Sequence, residues 1–310
     1  MIQVRELYKS YGDQRAVDGV SFVAKAGRVF GLLGPNGAGK STTIACLCGL
    51  QAPSRGTVLI LGKDIVEQPQ AAKKRMGVVP QELALYEELS ARENLEFWAS
   101  AYGLSGQARA SRVQAVLERV QLLDRQKEPV RSFSGGMKRR LNFACGIVHE
   151  PTVLLLDEPT VGVDPQSRAR LLELVRELAR DGVCVLYTTH YMEEAETLCD
   201  ELAILDHGRI QAEGSLQDLR NRTGEWDHVQ LRGQFDLQRI RKTIDAHDDL
   251  ELRGGEEGLL IFACRSASRR LPEILTMVEE AGGVVEETTM RQPSLETLFL
   301  ELTGHELRED

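Results

Sequence analysis

Residues 34–41 read Gly-Pro-Asn-Gly-Ala-Gly-Lys-Ser, which fits the spacing G-x-x-x-x-G-K-[ST]. Glycines let a backbone curl until several N–H groups converge on one anion. The chemistry is the holding of a polyphosphate: Lys40 supplies a point charge to the β- and γ-phosphates, and the Ser41 hydroxyl can bind magnesium. Four fixed positions of this kind match by accident in about one such chain in a hundred. Further along, residues 154–158 read Leu-Leu-Leu-Asp-Glu, two acids where an apolar strand ends. Such acids alone are more often a solvated turn. Paired with a phosphate loop they become a site, because ligands bind at the carboxyl ends of strands in an open α/β sheet. Asp157 is expected to hold magnesium through its water shell, and Glu158 to act as general base or to polarise the attacking water. His190 follows an apolar run, 183–187, and a neutral imidazole there can hydrogen-bond a γ-phosphate and sense its presence. Gln81 follows another, 76–79, and offers an amide oxygen to the magnesium shell.

The elements that must position these residues follow from periodicity. Two short strands, 2–8 and 20–25, open the chain around a polar turn, and residues 28–33 form a buried strand running into the phosphate loop. Ile44, Leu47 and Cys48 recur at helical spacing after the loop, with Gly49 as the stop. From about 82 to 150 the pattern is helical. Ser90 and Glu93 make a capping box ahead of a helix at 95–102, and Val113, Val116, Leu117 and Val120 stripe a second one. Alternation then returns: strand 153–156, a helix opened by Asp164-Pro165 and closed by Gly182, then strand 183–187. Such alternation implies a mostly parallel sheet with helices on its faces. Past about Thr223 the order changes to strand 228–232, helix 237–246, strands 250–252 and 259–262 around a 254–258 turn, helix 271–281, strand 284–289 and helix 295–302. This βαββαβ order is that of a split, ferredoxin-like α+β unit. The expected domains are residues 1–223 and 224–310.

Composition bounds the partners. With 42% hydrophobic and 27% charged residues the chain reads as globular, and a net charge of −9 argues against nucleic acid, which needs a basic face. Basic clusters at 73–75 and 138–140 read as solvated surface. The longest apolar stretches, 153–156 and 183–187, are far short of the roughly 20 residues a bilayer needs, and the N-terminus lacks a signal-peptide layout. The expectation is a chain that stays in the cytoplasm. Its six cysteines form no Cys-x-x-Cys pair, and read as small buried side chains in a reducing compartment.

Phe133-Ser134-Gly135-Gly136-Met137 decides between families that share a phosphate loop. The order of phosphate loop, Gln81, Ser-Gly-Gly, Leu-Leu-Leu-Asp-Glu-Pro-Thr, Asp164-Pro165 and His190 resembles the nucleotide-binding domains of ABC ATPases, over residues 2–214. The resemblance implies a P-loop α/β core with a helical subdomain, ATP and magnesium as cofactors, and a site assembled between two subunits. On this resemblance Tyr11 stacks on adenine, while Gly34, Pro35, Asn36, Gly37, Ala38, Gly39, Lys40, Ser41 and Thr42 make the phosphate loop. Ser41, Gln81 and Asp157 serve the magnesium, and Glu158 and His190 serve hydrolysis. Ser134, Gly135 and Gly136 are the signature, and Asp164 is the D-loop aspartate. Ser134 can cap the following helix and leave its N–H groups free for a γ-phosphate, which in the family belongs to ATP on a facing subunit. Phe133 and Met137 stand where the commonest signature has Leu and Gln, and Val161-Gly162-Val163-Asp164 departs from a commoner Ser-Ala-Leu-Asp.

The wording of the signature, of residues 158–168 and of the tail 293–304 is similar to exporter ATPases of the drug-resistance type. What this implies is an ATPase subunit that powers export of drugs, lipids or other hydrophobic compounds. It would work as a dimer with itself or a related subunit, peripheral to the cytoplasmic face of the membrane through separate transmembrane permease subunits. Residues 83–89 are then the expected coupling surface. Two alternatives stand: an importer ATPase with a regulatory C-terminal domain, and a non-transport ABC ATPase, which would carry heptad arms, twin cassettes or basic insertions that this sequence lacks.

Overall fold

The computed structural model describes residues 1–222, 227–244, 250–256, 258–264, 267–291 and 295–303. It divides into two compact units, Met1–Gln211 and Ala212–Asp310. The division falls ahead of the expected boundary at Thr223, because the helix Leu216–Arg222 groups with the second unit. Thr223 itself, Asp245 and Ala246 of the expected helix, Glu257 of the expected turn, and Pro293, Ser294 and Gly304 of the tail lie outside the described residues.

The first unit opens with β1 (Ile2–Tyr11) and β2 (Gln14–Ala24), a longer hairpin than the sequence pattern suggested, turning through Gly12 and Asp13 alone. Its inner residues Ile2, Val4, Leu7, Val17, Val20 and Phe22 alternate with polar ones and enter the core. Then come β3 (Val29–Leu33), α1 (Lys40–Leu47), β4 (Arg55–Ile60), β5 (Lys63–Asp64), α2 (Pro69–Lys73) and β6 (Met76–Val79). The helical stretch holds α3 (Ala91–Ala101), α4 (Gly106–Arg119) and α5 (Gly135–Ile147). The capping box is present: the Glu93 amide donates to Ser90 Oγ at 3.2 Å, and the Ser90 amide donates to Glu93 Oε2 at 2.8 Å. It starts α3 four residues ahead of the apolar stripe.

The chain continues with β7 (Val153–Asp157), α6 (Pro165–Arg180), β8 (Cys184–Thr189), α7 (Met192–Leu198), β9 (Glu201–Asp206) and β10 (Arg209–Ser215), within which the first unit ends. Two sheets result, an antiparallel one ordered β2-β1-β4-β5 and a six-stranded one ordered β10-β9-β3-β8-β7-β6. Pairing from β9 through β6 is parallel. Strands β3, β7 and β8 are buried along their whole length, which is why they read as continuous apolar runs. The Phe22 and Phe30 rings stack at 4.9 Å, inside a core that both sheets share. The carboxyl ends of β3, β8, β7 and β6 emerge side by side.

The second unit carries α8 (Leu216–Arg222), β11 (Asp227–Gln234), α9 (Leu237–Ile244), β12 (Leu250–Glu256), β13 (Leu259–Cys264), α10 (Ala267–Glu280), β14 (Val284–Arg291) and α11 (Leu295–Thr303). Its antiparallel sheet runs β12-β13-β11-β14, the ferredoxin-like order. Two expectations are corrected. Gly254, Gly255 and Glu256 continue β12 paired with Ile261, Leu260 and Leu259, with Arg253 as the extra residue of a bulge just before them. Helix α10 begins four residues before Leu271 and runs through Pro272, since the Asp227 carboxylate accepts from the Ala267 amide at 3.0 Å and fixes its first turn.

Candidate functional site

A cleft of about 670 Å3 opens at those strand ends. The segment from Leu33 to Lys40 passes from β3 into α1 and forms its floor. Gly39 sits at φ +105°, and a Cβ there would lie 2.5 Å from the Ala16 carbonyl oxygen. Only glycine fits both the left-handed backbone and this close approach. The Lys40 ammonium is buried and donates to the carbonyls of Gly34 at 2.7 Å and Pro35 at 3.0 Å. It also forms a salt bridge of 2.9 Å with Glu158 Oε1.

Glu158 follows β7 directly, in a left-handed conformation at φ +44°, which for a residue with a Cβ costs about 1 kcal/mol. Its amide donates to Thr188 Oγ1 at 3.0 Å, and this anchors the turn to β8. His190 Nδ1 lies 3.1 Å from Glu158 Oε2. Burial pushes the Glu158 carboxyl up, but the His190 hydrogen bond and the Lys40 charge outweigh it and bring the group down to about 2. Asp157 moves the other way, upward, because burial dominates over its hydrogen bonds. Its Oδ1 accepts from Ser41 Oγ at 3.2 Å and Thr188 Oγ1 at 2.7 Å.

Tyr11, Asn36, Gly37, Gly39, Lys40, Ser41, Thr42, Gln81 and Glu158 line this one cleft, with Asp157 and His190 hydrogen-bonded to its members. The donor set is hard oxygen from Ser41, Asp157 and Gln81 beside one buried ammonium, a chemistry that fits a polyphosphate with a divalent cation such as magnesium. Ser134, Gly135, Gly136 and Asp164 do not line the cleft; they form a separate cluster. Ser134 Oγ accepts from the Met137 amide at 3.3 Å and caps α5, while Asp164 Oδ1 accepts from the Ser167 amide at 2.9 Å and caps α6. A Cβ on Gly136 would meet Ser167 Oγ at 2.4 Å and Asp164 Oδ2 at 3.0 Å, so glycine is what lets the two helix starts touch.

Several contributors escaped the sequence reading. Gln14, Arg15, Ala16, His207 and Gly208 also line the cleft. They come from the β1–β2 hairpin and the β9–β10 turn, joined where the Asp18 amide donates to the Gly208 carbonyl at 2.8 Å and the Gly208 amide to that of Ala38 at 3.0 Å. No local motif marks them. Asn142, on α5, is buried and holds the segment around Gln81 with both ends of its amide: Oδ1 accepts from the Ala84 amide at 3.0 Å, and Nδ2 donates to the Pro80 carbonyl at 3.3 Å. Arg139 donates to the Gln81 carbonyl.

The family model described as ABC transporter matches residues 17–161. The linearmycin resistance ATP-binding protein LnrL of Bacillus subtilis is 48% identical over 224 residues, 72% of each chain. The daunorubicin resistance ATP-binding protein DrrA3 of Streptomyces coeruleorubidus is 38% identical over 300 residues, covering 97% of this chain and 95% of the relative. Among solved structures, the dimeric ATP-binding cassette MJ0796, in a post-hydrolysis state bound to ADP and Pi, superposes with a TM-score of 0.64 at 26% identity, over 70% of this chain and 99% of that one.

Proposed function

The chain belongs to the ABC transporter family of ATP-binding proteins, whose members bind and hydrolyse ATP, and from that premise we propose that it powers the export of hydrophobic compounds through separate membrane-spanning subunits. The observation that carries the chemistry is two contact sets at adjoining strand ends, Ser41 with Asp157 and Glu158 with both Lys40 and His190. In this reading the phosphate-loop amides of residues 34–42 and the Lys40 ammonium bind the β- and γ-phosphates. Tyr11, 47% exposed at the cleft, stacks on the adenine. Ser41, Asp157 and Gln81 would hold magnesium, which supplies charge neutralisation to the phosphates when bound. Glu158, ionised at neutral pH, takes a proton from the attacking water. His190, oriented by Glu158, turns its other ring nitrogen toward the γ-phosphate.

Ser134, Gly135, Gly136 and Asp164 stand apart from the cleft, which supports their use by a facing ATPase subunit; the dimeric form of the MJ0796 cassette is in keeping with this. No helix among the described residues is long and apolar enough to cross a membrane; in the transporter reading separate subunits make the crossing and this chain sits at the cytoplasmic face. Leu83, Tyr86 and Phe97 are exposed, and the Phe97 ring meets Tyr86 edge-on at 4.9 Å. Leu83 and Tyr86, in the stretch that Asn142 pins to α5, with Phe97 of α3 against Tyr86, are the proposed seat of the membrane partner. The names of the relatives, which speak of linearmycin and daunorubicin resistance, favour export of hydrophobic compounds over import.

The test is a pull-down of this chain from detergent-solubilised native membranes, with partners identified by mass. A co-purifying multi-span protein is the expected result. Recovery of soluble partners alone would remove the transport reading and leave the ATPase.

A further inference from the structure

Behind the cleft lies a buried acid that the chemistry above does not use. Glu194, on α7, is 2% exposed. Its Oε2 accepts from the Tyr187 hydroxyl at 2.8 Å and from Thr189 Oγ1 at 2.9 Å; its Oε1 accepts from Thr160 Oγ1 at 2.7 Å. Arg168 of α6 brings its Nε to 3.6 Å from Oε1 and lays its guanidinium over the Tyr191 ring at 4.7 Å. All four groups turned toward this carboxylate can donate, so both of its oxygens are held as acceptors.

The donors come from two places that matter. Thr189 is the residue before His190, and its hydroxyl, while donating to Glu194, accepts from the Tyr191 amide at 2.9 Å. It therefore grips the backbone on both sides of the histidine. Thr160 is two residues after Glu158 and opens the turn that runs through Val161, Gly162 and Val163 to Asp164. We propose that Glu194 is a positioning residue that ties the His190 turn to the 160–164 turn, so that the γ-phosphate sensor and the loop facing the second subunit shift together rather than separately. The proposal rests on the ATPase reading above. Its physical content is that one carboxylate bridges two catalytic turns through three hydroxyls, and a buried network of this kind has few alternative arrangements once one donor moves.

The experiment compares the full-length parent, Glu194→Gln, His190→Ala and the double variant, measuring ATP binding by nucleotide titration and turnover at saturating ATP. A glutamine keeps the shape but turns an NH2 group toward donors on one side. The expected result for Glu194→Gln is ATP affinity within about twofold of the parent and turnover lower by about tenfold or more, the scale of a small misplacement of reacting groups. In the double variant the losses should not multiply, because both act through the position of the same imidazole. Unchanged turnover in Glu194→Gln, or losses that multiply in full, would overturn the proposal. Should Glu194→Gln fail to fold, Thr160→Val and Thr189→Val carry the same comparison, each cutting one tie: full activity in both would overturn the proposal. If His190→Ala itself retains the parent's turnover, the role of the histidine falls and the proposal with it; if His190→Ala is impaired and Glu194→Gln is not, the ATPase reading stands and only the proposal is lost.

Discussion

Replacing Glu158 by glutamine separates two roles that this carboxylate combines, a base for water and an anion for Lys40 and His190. Glutamine imitates the protonated acid, keeps the Cβ and therefore keeps the cost of the φ +44° backbone. The carboxyl stands at about 2 against an ordinary 4.5, a free-energy equivalent of about 3 kcal/mol. The sign follows from linkage: a depressed acid contributes stability that is complete above about 4.5 and is lost as pH falls through about 2. Without nucleotide, the glutamine variant should be less stable than the parent by about 3 kcal/mol at pH 7 and by about 1 kcal/mol at pH 3. Urea unfolding at the two pH values reads this directly. Turnover should fall by about a hundredfold or more, the range for losing a positioned general base, while ATP binding persists because Lys40 is released to the phosphates. A variant as stable as the parent at pH 7, or a stability gap that does not narrow in acid, would refute the claim that the Lys40 and His190 contacts hold this carboxylate ionised.

Lys40→Ala has the opposite profile: ATP affinity should drop by about ten- to a hundredfold, and nucleotide titrations in which it matches Glu158→Gln would contradict both assignments. Gly136→Ala drives a methyl group into Ser167 and Asp164, with an expected loss of about 1–3 kcal/mol in urea unfolding and a fall in ATPase activity; parent-like stability would show that the two helix starts can separate freely. In the second unit, Glu301 is pushed up to about 7 by burial, with His228 Nδ1 at 3.1 Å and Arg253 and Glu251 acting on it from β12. A raised acid favours its protonated form, so the parent loses stability as pH rises from 4.5 through 7. Glu301→Gln should match the parent near pH 4 and exceed it at pH 8 by up to about 3 kcal/mol; equal unfolding curves at pH 8 would contradict this.

Much of the architecture was legible because its signals are local. The buried strands β3, β7 and β8 appear as unbroken apolar runs, and Ser90 with Glu93, three residues apart, announces the start of α3. The phosphate loop is legible for the same reason, since its glycines answer to backbone geometry within eight residues. What the sequence hid is tertiary. Ala16 and Gly208 reach the cleft only through the pairing of a hairpin with a turn about 190 residues away. Asn142 looks like one more polar residue on a helix, and its meaning appears only when its amide is found holding Pro80 and Ala84. The Gly254-Gly255 pair misled because glycines mark a turn and the neighbourhood of a strand bulge alike, and only the register along β13 separates the two.

These hidden contacts give α5 a mechanical place in the proposed cycle. Its N-terminus leaves Ser134 and Gly135 exposed, and one and two turns on, Arg139 and Asn142 grip the stretch that carries Gln81 on one side and the exposed Leu83 and Tyr86 on the other. A phosphate engaging the Ser134 end of the helix and a partner seated on Leu83 and Tyr86 would thus pull on one rigid body. The α6 start is attached to the same body through Gly136, and α6 in turn reaches Glu194 through Arg168. Since packed helices shift as units rather than deform, nucleotide closure at the signature would have a short physical route to the proposed partner surface. On that route Asn142 is a joint and Asn142→Leu the cut that leaves both ends intact. It should spare ATP binding while weakening the dependence of ATPase rate on the membrane partner, and an undiminished stimulation by that partner would show that the signal travels elsewhere.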